Sequence, residues 1–356
     1  MSGIGPVIAR VAEARLGCNA HPQKAQRTGL ERPGGVTDRF GRRRNRGRSK
    51  GGKDEGRMGD MRVGLVGVGL MGHGIARNLA AKSWSLGFLD HTGNQPVQDL
   101  MDLGARRVAD RQQLAADSDV VVLCVSGSPQ VEEVLLGEAG MLAAIRPGTV
   151  IIDCSTAIPS STARLAALTQ AAGGRFMDAA MTRTPREAEE GRLNLLVGAE
   201  DDLLERMRPL LGAFAENIFH AGGPGAGHTL KLLHNYVSIG QATLLSEAAA
   251  CARKAGIPAR VFTEALAQGG GYGAALDRIG PYLLEGDTSR MRFFVSNAAK
   301  DLAYYLRMTQ DLAVQNHAAG GVDRALRALS EGGFSEGYLA EATAFFDRLG
   351  GEDPEG

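Results

Sequence analysis

A strand pattern that runs into a glycine-rich turn and then into a helix pattern restricts the fold of this chain more than any other feature. The segment is MRVGLVGVGLMGHGIARNLA, residues 61–80, and its glycines have the spacing G-x-G-x-x-G. The first glycine permits a tight turn, the second lets the backbone approach a pyrophosphate, and the third lets helix and strand pack closely. The segment therefore predicts a dinucleotide-binding unit. The predicted cofactor contacts of this turn are Gly67, Gly69, Leu70, Met71 and Gly72.

The next predicted strand, SLGFLDHT (85–92), ends in an acidic residue. Asp90 stands where a dinucleotide site places a carboxylate on the hydroxyls of the adenine ribose. A carboxylate there repels the 2′-phosphate of NADP, and no basic residue directly follows Asp90. We therefore expect NAD as the cofactor, with NADP less favoured. The alternative is that Asp90 only caps a loop.

Two nearly continuous apolar runs predict parallel strands that are buried on both faces. They are DVVVLCVS (119–126) and TVIIDCST (149–156), and each ends in small polar residues. Ligands of doubly wound sheets bind beyond the carboxyl ends of the strands. Ser126, Ser155 and Thr156 are therefore predicted to line the cofactor cleft, although Ser155 and Thr156 could equally cap the following helix.

A long helix is predicted over residues 227–255, where apolar side chains spread around most of the circumference. Such a pattern is typical of a helix that is buried on all sides. The helix contains Lys231, His234 and Asn235, and the i, i+4 spacing puts Lys231 and Asn235 on one face. Lysine is rarely buried without a partner or a purpose. Lys231 either extends to solvent or exchanges a proton in a cleft.

A second apolar helix pattern (293–308) carries Lys300, followed at once by Asp301. A surface ion pair is the simple interpretation of these two residues.

Five segments that occur in one order resemble the β-hydroxyacid dehydrogenase family, whose members include 3-hydroxyisobutyrate and tartronate-semialdehyde oxidoreductases. The resemblance covers about residues 61–345. The five segments are GLVGVGLMGHGIARNL (64–79), DCSTAIPSSTARLA (153–166), DAAMTRTPREAEEGRL (178–193), GAGHTLKLLHN (225–235) and AAKDL (298–302).

The resemblance implies an α/β Rossmann-type N-terminal domain followed by an all-α C-terminal domain, joined by the long helix. We expect the NAD-binding domain to span 61–224 and the helical substrate and oligomerisation domain to span 225–350. The resemblance also implies that Lys231 is the catalytic acid/base, that Asn235 places the substrate, and that Lys300 lies near the nicotinamide. It further implies a homodimer or homotetramer.

Two departures from the family pattern concern the substrate. Where the family commonly reads D-A-P-V-S-G-G, this chain keeps a hydroxyl at Thr182 and has Arg183 in place of a glycine. Sulfolactaldehyde reductases of the family resemble the chain here, with an arginine before a threonine that binds a sulfonate. We expect Thr182, Arg183 and Thr184 to bind the substrate's carboxylate or sulfonate. His234 replaces an asparagine of the family, and it either binds substrate or only packs.

The sequence thus predicts NAD-dependent hydride transfer between the nicotinamide and a small anionic β-hydroxy acid or its semialdehyde. One alternative is an imine reductase of the same fold, although those enzymes generally lack a lysine at the position of Lys231. The other is a non-enzymatic nucleotide-binding module that the basic N-terminal tail tethers to nucleic acid.

The tail has a composition unlike that of the remaining chain. Residues 1–60 hold 14 Lys and Arg against 6 Asp and Glu, whereas the whole chain is formally neutral. The cluster GRRRNRGRSKGGK (41–53) cannot bury apolar surface, so we predict disorder and exclude 1–60 from the fold. An upstream start codon before Met58 or Met61, a solvated or targeting tail, and a nucleic-acid arm are three explanations that stay open.

The four cysteines form no C-x-x-C pair, and we expect buried free thiols in a reducing, cytoplasmic compartment. No metal site and no membrane span are predicted, and we expect no membrane or nucleic-acid partner.

Overall fold

The computed structural model describes residues 61–349, and the first part of this range builds one eight-stranded sheet. The strand order is β3-β2-β1-β4-β5-β6-β7-β8, and neighbouring strands are parallel except for the antiparallel pair β6–β7. The strands are β1 (Arg62–Val66), β2 (Ser85–Leu89), β3 (Arg106–Val108), β4 (Val120–Leu123), β5 (Val150–Asp153), β6 (Arg175–Thr182), β7 (Leu193–Gly198) and β8 (Ala215–Gly222).

Apolar cores lie on both faces of the sheet, as the continuous apolar runs predict. In β4, Val120 and Val122 belong to one core and Val121 and Leu123 to the other, because successive strand residues point to opposite faces. The connecting helices are α1 (Leu70–Ala81), α2 (Gln98–Asp102), α3 (Arg111–Asp117), α4 (Ser128–Leu136), α5 (Pro159–Ala171), α6 (Pro185–Glu189) and α7 (Asp201–Leu211). The predicted Rossmann-type domain is confirmed.

A helical region follows the sheet and has a core of its own, around residues such as Leu232, Ile239 and Leu302. Its helices are α8 (Ala226–Lys254), α9 (Ala259–Ala267), α10 (Ala274–Glu285), α11 (Val295–Asp311), α12 (His317–Leu329) and α13 (Ala342–Leu349). The 29 residues of α8 extend about 40 Å and contact both β6–β7 and the later helices. The predicted division between the two domains, at residues 224 and 225, falls in the turn between β8 and α8, and it stays a prediction.

The expectation that α8 is buried on all sides is wrong for the single chain. Leu233, Val237 and Leu244 are 42%, 55% and 62% exposed, and Cys251 is also exposed. With about 100° per residue, these four side chains lie within about 40° of one another and form one stripe. The sheet and the neighbouring helices cover the opposite side of α8. Of the described cysteines, Cys154 is buried and Cys124 half-buried, so the prediction of burial fails at Cys251.

Between residues 61 and 349, none of the helices combines the length and the apolar character that crossing a bilayer requires. The basic tail, its predicted disorder and Cys18 fall outside the described residues.

Candidate active site

The glycine turn between β1 and α1 has the geometry that a dinucleotide pyrophosphate needs. Gly67 has a φ of +95°, and a Cβ on it would lie 2.2 Å from the carbonyl oxygen of Cys124. A Cβ on Gly69 would instead meet no atom within 4 Å, so the turn is open on that side. Helix α1 starts beside this opening without an acidic residue in its first turn. Its free N–H groups and the positive end of its dipole therefore suit a phosphate.

The other residues predicted for the turn lie around this opening. Leu70 is 59% exposed at the start of α1, and Met71 is half-buried against the core. Gly72 is buried, and a Cβ there would lie 1.9 Å from the carbonyl oxygen of Gly67, so the position admits only glycine.

Asp90 follows β2 and faces a cation that the sequence analysis did not consider. Its carboxylate Oδ1 lies 3.8 Å from Nε of Arg107, and both side chains are about half exposed. Arg107 comes from β3, which pairs in parallel with β2 so that Phe88 and Arg107 are register partners. The sequence around Asp90 does not reveal Arg107, because the pairing of β2 with β3, and not proximity along the chain, brings the two residues together.

Lys300 connects the helical region to the loop after β4. Its Nζ donates to the carbonyl oxygen of Ser126 at 2.6 Å and lies 5.5 Å from the ring centroid of Tyr304. In the neighbouring loop after β5, Ser155 is buried and its Oγ accepts from the backbone N–H of Val125 at 3.1 Å, while Thr156 is half-buried. The polar ends of β4 and β5 thus form one wall that α11 contacts.

Lys231 is half-buried in the second turn of α8. Burial lowers the pKa of its ammonium group to about 8, since desolvation outweighs the attraction of Asp301, and nearby Lys300 lowers the pKa further. A lysine with this pKa exchanges a proton readily near neutral pH.

Asp301 is the residue of this site that the sequence analysis missed. It is only 4% exposed, so the pair it forms with Lys300, with Nζ 3.1 Å from Oδ1, is not the surface ion pair of the simple interpretation. Its Oδ2 accepts from Nδ2 of Asn235 at 2.7 Å. The sequence signal for Asp301 was its place beside Lys300 in the segment AAKDL. Its burial could not be predicted from the sequence, because it results from the packing of α11 on α8.

His234 is exposed next to this cluster, and its Nδ1 lies 3.0 Å from Oδ1 of Asn235. Since Asn235 turns its amide nitrogen to Asp301, its oxygen faces the ring, and Nδ1 of His234 carries the proton that it donates. Desolvation lowers the pKa of His234, with the positive charges of Lys231 and Arg278 as further causes. The imidazole is therefore neutral at neutral pH.

The three residues expected to bind the substrate anion lie at the end of β6. Thr182 is buried, and its hydroxyl accepts from Nδ2 of Asn194 at 3.2 Å. Arg183 has a φ of +83°, and its guanidinium donates to the carboxylate of Glu216 and to the carbonyl of Arg192. The exposed Thr184 donates its N–H to the carboxylate of Glu187 at 3.0 Å and so caps α6. Their contact with substrate stays a prediction.

The dinucleotide turn, the carboxyl ends of parallel strands and a desolvated lysine together define a Rossmann-type oxidoreductase with a nicotinamide cofactor. Residues 62–222 match the family model described as the NAD binding domain of 6-phosphogluconate dehydrogenase. Residues 225–342 match the model described as "NAD-binding of NADP-dependent 3-hydroxyisobutyrate dehydrogenase".

Individual proteins give the same result. The chain is 32% identical to 3-sulfolactaldehyde reductase from Escherichia coli over 67% of this chain and 80% of that protein. It is 34% identical to 2-hydroxy-3-oxopropionate reductase from the same organism, over 62% and 75%. The crystal structure of a 3-hydroxyisobutyrate dehydrogenase from Salmonella typhimurium has a TM-score of 0.70 at 25% identity, covering 80% of this chain and all of that one.

The chain belongs to the β-hydroxyacid dehydrogenase family. This confirms the predicted class of activity, a nicotinamide-dependent 3-hydroxyacid dehydrogenase or semialdehyde reductase that acts on a CH–OH group.

The position of Asp90 predicts that kcat/KM is at least about 10-fold higher with NAD than with NADP, because apposed like charges cost several kcal/mol. Arg107→Ala should widen this preference, since Arg107 is the cation that could receive a 2′-phosphate. Arg106→Ala is the matched control, because successive strand residues point to opposite faces. Steady-state kinetics with both cofactors measure the ratio, and equal values in the parent enzyme would show that Asp90 does not contact the ribose.

Proposed function

We propose that this enzyme transfers a hydride reversibly between NAD and a small β-hydroxy acid or its semialdehyde, with Lys231 as the general acid and base. The observation that carries the proposal is the half-buried Lys231, whose pKa is lowered to about 8, one helical turn from the buried Asn235. NAD, when bound, accepts the hydride in oxidation and supplies it as NADH in reduction.

The side chains of the site divide the remaining work. In oxidation, Nζ of Lys231 takes the proton of the substrate hydroxyl, and in reduction it returns this proton to the forming alkoxide. Asn235 uses one amide hydrogen on Asp301 and has a second that is suited to the reacting oxygen. Lys300 holds the loop after β4 through Ser126, beside the nicotinamide.

We propose further that Thr182 and Arg183 bind the acid group of the substrate. A non-glycine residue in the left-handed region costs about 1–2 kcal/mol, and such residues are concentrated at functional sites. An arginine at this position brings a planar set of five N–H donors, which matches a carboxylate or a sulfonate. The similarity to a protein named 3-sulfolactaldehyde reductase supports a sulfonate as one candidate.

We propose a homo-oligomer, a dimer or a tetramer, in which the stripe of Leu233, Val237, Leu244 and Cys251 on α8 contacts a second copy of the chain. A contiguous exposed apolar stripe on a soluble chain is typical of an interface between proteins.

We propose a reducing compartment such as the cytoplasm. Cys124 and Cys154 follow the neighbouring strands β4 and β5, and both are free thiols. Burial raises the pKa of Cys124 to about 12 and that of Cys154 well above its usual value, so both thiols are unreactive.

Lys231→Ala should lower kcat at least about 100-fold with little change in NADH affinity, because general acid/base catalysis supplies about 10²–10⁴-fold. In the parent enzyme, the oxidation rate should rise with pH through about 8, where Lys231 becomes neutral, and the reduction rate should fall through the same range. Rate profiles in both directions and NADH fluorescence titration test this. A Lys231→Ala enzyme that retains more than about a tenth of parent kcat would contradict the role.

Arg183→Gly should raise KM for the best acid substrate about 10- to 150-fold and change kcat less, since the anion is bound in both the ground state and the transition state. Arg183→Lys should recover part of the loss, because the charge stays and the planar donor set is lost. Arg186→Ala is the matched control, since it removes an 81% exposed arginine three residues away. The assay compares 3-hydroxyisobutyrate, glycerate, 3-hydroxypropionate, serine, threonate and dihydroxypropanesulfonate. A KM within threefold of the parent value means that Arg183 is a loop charge.

Leu244→Glu should shift the molar mass measured by light scattering toward that of the monomer, because a charge buried in an apolar interface is costly. Leu312→Glu is the control, because Leu312 is similarly exposed, at 60%, but lies beyond α11. An unchanged mass for Leu244→Glu, or a monomeric parent protein, would rule out the proposed interface.

A further inference from the structure

A cluster of fully buried polar side chains lies one turn before Lys231, and the mechanism above does not use it. His228, Asp153 and Asp178 are each 0% exposed. Taking ionisable groups out of water costs free energy that well-packed apolar side chains of the same volume avoid. A cluster of this kind needs a reason beyond packing.

The imidazole of His228 bridges two elements that flank the cofactor cleft. Its Nε2 is 3.1 Å from the carbonyl oxygen of Ser155, and because a carbonyl only accepts, Nε2 carries a proton and donates it. Its Nδ1 is 2.7 Å from the hydroxyl oxygen of Thr162 on α5. The carboxylate of Asp153 lies 3.9 Å from Nε2 and that of Asp178 lies 3.8 Å from Nδ1.

The backbone of His228 is fixed as firmly as its side chain. Its N–H donates to Oδ2 of Asp178 at 2.6 Å, and the N–H of Gly225 donates to Oδ1 at 2.6 Å. Lys231 follows three residues later, about 4.5 Å farther along the helix axis. A short chain of contacts therefore runs from the loop after β5, through the imidazole of His228, to the helical turn that carries Lys231.

We propose that His228 is a positioning residue that fixes Lys231 relative to the cofactor loop at Ser155 and Thr156. This link would set the distance between the lysine, which exchanges the proton, and the nicotinamide, which exchanges the hydride. The inference rests on the proposed function, in which Lys231 exchanges the proton. A displacement of about 1 Å at such a site lowers the rate as much as about 10²-fold, so a rigid link between lysine and cofactor loop has a direct effect on turnover.

The experiment compares His228→Leu, which removes both hydrogen bonds, with His228→Gln, whose amide nitrogen can still reach the carbonyl of Ser155. The matched control is Thr169→Val, a 0% exposed hydroxyl on α5 that bonds only within its own helix, to the carbonyl of Leu165 at 2.8 Å. Melting temperature, NADH affinity, kcat, KM and the pH profile of oxidation are measured for each variant.

For His228→Leu we expect kcat to fall about 10- to 100-fold, with NADH affinity and KM within about threefold of the parent values. The rising limb of the oxidation pH profile, which we assign to Lys231, should move to higher pH. Water that enters beside the loosened helix would relieve the desolvation that lowers the pKa of Lys231. This variant leaves unchanged the charged or titratable groups near Lys231, which are Asp301, Lys300 and His234. The movement of the limb therefore reports the position of the helix. His228→Gln should recover most of kcat, and Thr169→Val should leave both kcat and the limb unchanged.

The proposal is wrong if His228→Leu and Thr169→Val lose the same melting temperature and also have the same kcat and the same pH limb. In that case the cluster serves only the stability of the fold. If His228→Leu does not fold, Thr162→Val decides the question by the same two readouts. It removes the hydroxyl that meets Nδ1, together with that hydroxyl's contact to the carbonyl of Ile158 at 3.3 Å. An active Lys231→Ala enzyme would instead overturn the proposed function, and that result is separate from any effect of His228.

Discussion

The contact between the carboxylate of Asp178 and the first N–H groups of α8 is the interaction on which the site depends. Both carboxylate oxygens accept a backbone N–H at 2.6 Å, in a position closed to water. A helix N-terminus offers unpaired donors and the positive end of its dipole, which a carboxylate buried in a sheet requires. Gly227 makes the approach possible, because a Cβ there would lie 2.7 Å from the carboxylate. The direction in which α8 leaves the sheet follows from this contact.

The same helix connects two ionisable groups whose pKa values are shifted by burial in opposite directions. Desolvation raises the pKa of Asp178, although the nearby His228 and the two N–H bonds oppose the shift. Two turns into the helix, desolvation lowers the pKa of Lys231. Both shifts favour the neutral form, as burial dictates, and Lys231, with its pKa at about 8, can change protonation state near neutral pH. Asp301 on α11 limits the shift, which keeps the lysine able to act in both directions of the proposed reaction.

The parts of the fold and site that the sequence predicts are those that depend on local spacing. The glycine turn, the apolar strands and the shared face of Lys231 and Asn235 follow from residues that lie within a few positions of each other. Asp301 was missed as a partner because it contacts Asn235 across 66 positions of the chain, and Arg107 reaches Asp90 only through strand pairing. Periodicity also could not separate the core of α8 from its exposed stripe, since an apolar face packed on a domain core and one exposed in the single chain have the same pattern.

In the proposed function, Arg183 would give the site specificity at a position that favours glycine. Its left-handed backbone is strained whether or not a substrate is bound, so this strain does not oppose binding. The ion pair with Glu216 does oppose it, because a substrate anion has to displace a carboxylate that is already in place. In the proposed function, an anion that makes several charge-assisted hydrogen bonds at once replaces that single exposed contact, and a neutral analogue cannot. The pair with Glu216 would therefore increase selectivity for an ionised acid group.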